Sequence, residues 1–150
     1  MFLWHCLYGI NTLRGRENFA VSHRHLGAEP ALVKALAQVK LAAALANREI
    51  RALHALQADA IAAACREIIG DTHLEQFVID LMEGSGGTSM NVNANEVIAN
   101  RALEILGHSR GDHRHLHPNN HVNLGQSTND VVPTALKLAC HAEARPMCTM

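Results

Sequence analysis

An all-α, mainly helical fold is predicted by the composition of this chain and by the spacing of its apolar residues. Of the 150 residues, 48% are hydrophobic but only 3% are aromatic. Alanine and leucine supply the apolar content, which favours helix over sheet. Between Leu32 and Ala43, apolar residues recur at intervals of three and four, the spacing of one helix face. The length is that of one domain large enough to bury a core.

The first half of the chain contains two predicted helices behind an irregular start. Residues 7–19 carry scattered glycines and are predicted to form a loop or a short β-hairpin. A helix opens at Pro30 and breaks near residues 47–49. A second helix, over residues 53–68, ends at Gly70, which is typical of a helix C-terminus.

The second half contains three further predicted helices. A capping box at Thr72 and Glu75 predicts a short apolar helix that follows it. Helical spacing resumes over residues 94–105, after a glycine-rich loop. The last helix is predicted to start near Asn129, with Pro133 in its first turn, where proline is tolerated.

Charge, apolar run length and cysteine spacing exclude several classes of function. The 13 Lys and Arg against 14 Asp and Glu give a net charge of −1, so no nucleic-acid partner is expected. No apolar run is long enough to cross a membrane, and residues 1–4 lack a signal-peptide pattern, so the expected location is the cytoplasm. The cysteines lack zinc-ligand spacing and are expected to be free thiols: Cys6, Cys65, Cys140 and Cys148.

Two polar segments carry the strongest functional signal in the sequence. One is the glycine-rich run at 83–97, and the other is Gly-Gln-Ser-Thr-Asn-Asp at 125–130, ahead of the last predicted helix. Glycines let a ligand approach the backbone, and a helix N-terminus rimmed with hydroxyls suits an anion such as a carboxylate. The alternative for either segment is an ordinary helix cap or connecting loop.

A nucleotide site in an α/β protein is a second hypothesis for the glycine-rich run, since residues 77–82 could form a strand ahead of it. The run lacks the third glycine of GxGxxG, and no P-loop Gly-Lys-Ser/Thr follows. No second strand completes a βαβ unit. Substantial strand content would favour this alternative.

Five histidines cluster between the two polar segments: His108, His113, His115, His117 and His121. A metal site is conceivable, because three of them alternate along residues 113–117. No cysteine or acidic cluster with ligand spacing supports it, and Arg114 would repel a cation. We therefore predict exposed loop histidines and no metal site.

Three segments resemble the aspartase/fumarase superfamily. They are LYGINTLRGRENF at 7–19, GSGGTSMNVNANEVIANRALEILG at 84–107 and HPNNHVNLGQSTNDVVPTALKLA at 117–139. Within the superfamily, Thr-Ser-Met-Asn at 88–91 and Gln-Ser-Thr-Asn-Asp at 126–130 are similar to aspartases rather than to fumarases. The resemblance covers nearly the whole chain.

This resemblance implies an amino-terminal helical domain over residues 1–126 and the first turns of a central helix bundle over residues 127–150. The implied activity is that of a carbon–nitrogen lyase, which eliminates ammonia from L-aspartate to give fumarate and needs no cofactor. The implied partners are a small dicarboxylate and further copies of the chain, since family members are homotetramers. Family chains are much longer and carry the catalytic base in a later part, so this chain is expected to be inactive alone.

Five residues match family positions that bind substrate. Thr88, Ser127 and Thr128 match positions that donate hydrogen bonds to the carboxylate on which charge develops, an oxyanion-type role. Asn129 matches a position that contacts the amino group. Arg14, whose fork suits a carboxylate, matches an arginine implicated in substrate binding, although a surface ion pair would also explain it. No residue matches the general base.

Two further sets of residues follow from the resemblance and from the loop. A secondary anion site described for fumarases matches Arg114, His117, Asn119 and Asn120, but Asn120 stands where an aspartate is usual, so the site is not carried over. A polar network that satisfies groups behind the glycine-rich loop is expected from Asn91, Asn93, Asn95 and Asn100.

Two other functions stay open: a fumarate hydratase-type lyase, and a non-catalytic helical fragment that docks on full-length subunits.

After Ala139 the sequence departs from the long apolar bundle helix of the family. Pro146 is predicted to stop the last helix.

Overall fold

The computed structural model describes residues 6–147, and five α-helices account for most of them. The helices are α1 (Ile10–Asn18), α2 (Pro30–Glu49), α3 (Ala55–Ile69), α4 (Thr88–Ile105) and α5 (Thr128–Met147). Two short 3-10 turns lie at Leu26–Ala28 and Leu74–Gln76, and one π turn lies at Pro118–Val122. Within residues 6–147 there is no strand, only an isolated bridge between His25 and Asp80, so the predicted mainly helical fold is confirmed.

The core lies where α2 packs against α3 and α5, and where α4 packs against α3. Its largest apolar side chains are fully buried, among them Leu36, Ile61, Ile98 and Leu103. Each lies on the inward face of its helix. Burial of such a side chain contributes about 1.5–3 kcal/mol to the stability of the fold. The break predicted at residues 47–49 is confirmed, because α2 ends at Glu49 and α3 begins at Ala55.

The loop or hairpin predicted over residues 7–19 is wrong, because this segment contains helix α1. The carboxylate of Glu96, on α4, accepts hydrogen bonds from the backbone N–H groups of Gly9 at 2.8 Å, Asn11 at 3.2 Å and Thr12 at 3.0 Å. An anion at the N-terminus satisfies donors that have no intrahelical partner and complements the helix dipole. A Cβ on Gly9 would lie 2.8 Å from the Glu96 carboxyl carbon, so this contact requires glycine.

The short helix predicted after Thr72 and Glu75 is also wrong. Only the 3-10 turn Leu74–Gln76 forms, and His73 precedes it with a left-handed φ of 67°. Residues 77–81 are irregular and not helical, because their backbone groups pair with residues 24–27: Leu26 N–H donates to Ile79 O at 2.8 Å and Leu81 N–H to Arg24 O at 2.7 Å. Pairing with a distant segment overrides the local helical pattern.

Helix α5 begins at Thr128, one residue earlier than predicted, and Pro133 is its sixth residue, in the second turn rather than the predicted first. The helix is described through Met147 and includes Pro146, so the predicted stop at that proline is not observed. Cys6, Cys65 and Cys140 are free thiols, as expected. Cys148 and residues 1–4, which also carried predictions, lie outside the described residues. No described helix has the length and apolar character of a membrane span.

Candidate functional site

Glu83 closes the N-terminus of α4, which is why this helix starts at Thr88 and not at residue 94 as the apolar spacing suggested. Its carboxylate accepts hydrogen bonds from the Gly87 N–H, the Ser85 hydroxyl and, at 3.1 Å, the Ser89 N–H. The Thr88 N–H donates to the Ser85 carbonyl at 3.3 Å. The backbone N–H groups of Gly87, Thr88 and Ser89 are therefore already occupied, and what Thr88 offers a ligand is its exposed side-chain hydroxyl.

The N-terminus of α5 is arranged differently. The Ser127 hydroxyl accepts from the Asn129 N–H at 3.2 Å, so Ser127 caps the helix. The Thr128 hydroxyl accepts from the side-chain amide of Asn91 at 3.2 Å. No hydrogen bond within residues 6–147 uses the Thr128 N–H. Because a hydroxyl carries one proton besides its lone pairs, Thr128 keeps a directed O–H donor and a backbone N–H donor at this end.

These two helix ends lie side by side. Gly87, with a φ of 90°, packs directly on α5: a Cβ there would lie 3.1 Å from both methyl carbons of Val132. The hydrogen bond from Asn91 to Thr128 adds a second contact one turn further along α4. The fold thus places two neighbours of Thr88, Gly87 and Asn91, against α5. The start of α4 therefore lies next to the Ser127–Asn129 segment, with which Thr88 was predicted to share a site.

A buried polar network lies behind the α5 end. Lys40, which is 0% exposed, donates to the side-chain oxygens of Asn123 at 2.8 Å and Gln126 at 3.0 Å. The same Asn123 oxygen accepts from Asn91 and Asn95, each at 3.2 Å. The side-chain oxygens of Asn91 and Asn95 are buried without a hydrogen-bond partner among the described residues. The network therefore ties α2 and α4 to the turn that carries Ser127 and Thr128.

Burial controls the ionisation of this network. It lowers the pKa of Lys40 to about 7, against an opposing effect of Cys65. Burial also raises the pKa of the Cys65 thiol to about 12, so Cys65 is neutral at pH 7 and is no counter-ion for Lys40. Sequence analysis missed Lys40, although there was a signal: it lies four residues from both Leu36 and Ala44, on the buried face of α2.

Arg14 and Thr88 line one cavity of about 810 Å³ between α1, α4 and the loop before the π turn. Its lining also includes Arg110, His113 and His117. Burial lowers the pKa of His113, with nearby His117 acting in the same direction and Glu96 and Asp112 opposing it. The cavity does not include Ser127, Thr128 or Asn129 among its lining residues. Of Thr88, Ser127, Thr128 and Asn129, only Thr88 is among the residues that line this cavity.

The four positions of the secondary anion site are not brought together as a set. His117 and Asn119 line the cavity, but the His117 ring accepts from the backbone N–H groups of Asn119 at 3.0 Å and Asn120 at 3.3 Å, which caps the π turn. The Arg114 side chain pairs with Asp112 instead.

The predicted asparagine network is confirmed. Asn93 donates to the Gln76 carbonyl at 3.0 Å. Asn100 donates to the Leu7 carbonyl at 2.7 Å and accepts from the Gly111 N–H at 2.8 Å. These side chains are buried and satisfy backbone groups that the irregular segments leave without partners. Asn100 also lines the cavity, so its two hydrogen bonds hold part of the cavity wall.

Comparison with known proteins gives a consistent match. A sequence profile of the lyase family matches residues 5–148. An aspartate ammonia-lyase from Pseudomonas aeruginosa is 55% identical over 132 residues, which is 87% of this chain and 28% of that protein. A fumarate lyase/delta crystallin from Brucella melitensis has a similar structure, with a TM-score of 0.93 and 54% identity over 95% of this chain and 32% of its own. A class II fumarase from Schistosoma mansoni has a TM-score of 0.86 and 37% identity, over 93% of this chain and 29% of its own. The chain thus spans about a third or less of the length of these relatives.

Proposed function

Because this chain belongs to the lyase family of the aspartase/fumarase superfamily, we propose that it forms the amino-terminal part of an enzyme that converts L-aspartate to fumarate and ammonia. Identity to an aspartate ammonia-lyase is 55%, against 37% to a class II fumarase, and this supports the aspartase assignment. We further propose that residues 1–126 form one domain and residues 127–150 begin a second.

The observation that carries the proposal is the position of Thr128. Removal of a proton next to the β-carboxylate of aspartate places charge on that carboxylate, which must be stabilised by donors aimed at it. Asn91 donates to the Thr128 hydroxyl oxygen, which leaves the hydroxyl proton for a substrate carboxylate, while the helix dipole of α5 adds positive potential. Thr88 and Ser127 add further hydroxyl donors to the same carboxylate.

The remaining proposed contacts orient the substrate. Asn129, exposed beside the cap, accepts a hydrogen bond from the substrate ammonium group. Arg14 presents its guanidinium at the cavity wall, where it would bind a carboxylate in a bidentate manner. No organic cofactor is required by this chemistry. The catalytic base and the rest of the site belong to other parts of the enzyme, a homotetramer of the cytoplasm in this proposal.

A chimeric enzyme tests the proposal. Residues 7–139 would replace the matched segment of the Pseudomonas aeruginosa aspartate ammonia-lyase, and fumarate formation from L-aspartate would be followed by ultraviolet absorbance. We expect a folded chimera with aspartate lyase activity close to that of the parent. A folded chimera that instead converts malate would support the fumarase alternative. A folded chimera that is inactive on both substrates would support the non-catalytic alternative.

A further inference from the structure

We propose that His108, Asp112 and His115 form a site for a divalent transition-metal ion on the loop between α4 and the π turn. The proposal is independent of the dicarboxylate site. The sequence analysis expected no metal here, because the spacing showed no acidic partner for the histidines. The fold supplies that partner, since Asp112 lies beside both rings.

The three side chains are close enough for one ion to reach. Their ligand atoms lie within 4.8 Å of one another, and His115 Nε2 is 3.8 Å from Asp112 Oδ2. The His108 and His115 rings are stacked, with centroids 3.8 Å apart and an angle of 8°. Ligands about 2.0–2.2 Å from a zinc-like ion are roughly 3.4 Å apart in a tetrahedron, so closure requires the ligand atoms to approach by about 1 Å. The stacked rings must also turn, because the lone pairs of two parallel imidazoles do not meet at one point.

The loop backbone is held by hydrogen bonds at both histidines of the cluster. The His108 N–H donates to the Leu103 carbonyl at 2.9 Å, and the His115 N–H to the Asp112 carbonyl at 3.0 Å. The His115 carbonyl in turn accepts from Gln57 at 2.6 Å. Only side chains must therefore move: the parallel rings rotate until their lone pairs converge, and His115, 49% exposed, has room to do so. Such preorganisation reduces the cost of binding.

Arg114 pairs with Asp112 when no metal is bound. Its guanidinium donates to both oxygens of Asp112, at 2.9 and 3.2 Å. The Arg114 side chain is 85% exposed and can swing into solvent at little cost. Metal binding therefore exchanges one cation for another at an ionised carboxylate.

The ligand set selects the class of ion. Two imidazoles and one carboxylate suit zinc, cobalt, nickel or copper, whereas magnesium and calcium prefer oxygen ligands. The exposed side of the cluster leaves positions for water, so the site is open rather than a closed structural centre.

Titration with Co²⁺ tests the proposal, with visible absorption and calorimetry as readouts and circular dichroism to verify folding. We expect the 150-residue chain to bind one Co²⁺ ion at this site. The affinity for Co²⁺ should fall at least roughly 10–100-fold in His108→Gln and in His115→Gln, since mutation of a residue that only supports a metal ligand already has an effect of that size. Arg114→Gln should bind more tightly, because it removes the competing cation. The matched control is His113→Gln, which changes a neighbouring histidine outside the cluster and should leave the affinity unchanged.

Equal affinities in all four variants would mean adventitious binding to surface histidines and would overturn the proposal, as would weaker binding by Arg114→Gln. If the isolated chain lacks a helical spectrum, the same titrations on the lyase chimera decide the question. A chimera that has aspartate lyase activity but does not bind Co²⁺ at these residues would refute the metal proposal alone. A chimera that binds Co²⁺ at these residues but has no aspartate lyase activity would refute the lyase proposal alone.

Discussion

Replacement of Glu96 by glutamine should weaken the attachment of α1 to the rest of the fold. In the structure, Oε2 of Glu96 accepts from the Gly9 N–H at 2.8 Å and from the N–H and hydroxyl of Thr12 at 3.0 and 2.6 Å. Oε1 accepts from the N–H and side-chain amide of Asn11 at 3.2 and 3.1 Å. One buried carboxylate thus serves five donors around the first turn of α1.

The magnitude follows from what glutamine can keep. If its carbonyl oxygen takes the Oε2 position, three hydrogen bonds survive but lose the assistance of the charge, which is roughly half of the 1.5–3 kcal/mol typical of such bonds. Its NH₂ group then faces the N–H of Asn11, which must turn to water. Together these effects predict a loss of about 3 kcal/mol in the free energy of unfolding.

Urea denaturation followed by circular dichroism measures this loss, and hydrogen exchange locates it in α1. The matched control is Glu104→Gln on the same helix, where a half-buried carboxylate pairs with Arg101 and Arg110. Pairs of this kind contribute about 0–1 kcal/mol. If both variants lose the same small amount, or if exchange in α1 is unchanged in Glu96→Gln, Glu96 does not hold the helix and the reasoning fails.

Two further predictions concern the elements that support the site. Between about pH 7 and pH 10.5, the unfolded chain binds more protons at Lys40 than the folded chain does, because burial lowers the pKa of Lys40 to about 7. The unfolding free energy should therefore rise with pH relative to Lys40→Met, by up to about 1.4 kcal/mol per pH unit, and parallel urea titrations of the two proteins would contradict this. Gly87→Ala places a Cβ 3.1 Å from Val132 in addition to the left-handed strain, whereas Gly86→Ala carries the strain with nothing within 4 Å. In the chimera, only Gly87→Ala should displace α5 and lower kcat/KM, and equal effects of the two would show that packing against Val132 is irrelevant.

Helices α2 and α3 were predictable because the apolar residues of their buried faces recur at intervals of three and four in the sequence. Leu32 and Leu36 mark one face of α2, and both are buried. Helix α1 was not predictable, because the carboxylate that stabilises it comes from Glu96, far along the chain. The segment after Leu74 was misassigned for a related reason, since its backbone pairs with residues 24–27. Local pattern fails where a distant group satisfies the backbone.

The candidate site shows the same division. Its polar loops were visible in the sequence, because glycines and capping residues stand in runs ahead of apolar helices. The contacts that orient those loops were not visible: Asn91 donates to the Thr128 hydroxyl, and Glu83 accepts from the first backbone N–H groups of α4. Both act through contacts that exist only in the folded chain. Asp112 likewise joins the histidines only once the loop is folded.

The most direct test of the central claim is the kinetics of Thr128→Val in the chimeric lyase. Valine keeps the shape of threonine but removes the hydroxyl donor, and loss of one oxyanion-type donor costs about 2.7–4 kcal/mol at the transition state. We predict that kcat/KM for L-aspartate falls by roughly 10²–10³-fold. Thr128→Ser, which keeps the hydroxyl, should retain most of the activity, and so should Thr134→Val, an exposed control on the same helix. An unchanged kcat/KM in a folded Thr128→Val enzyme would mean that this polar segment is only a helix cap.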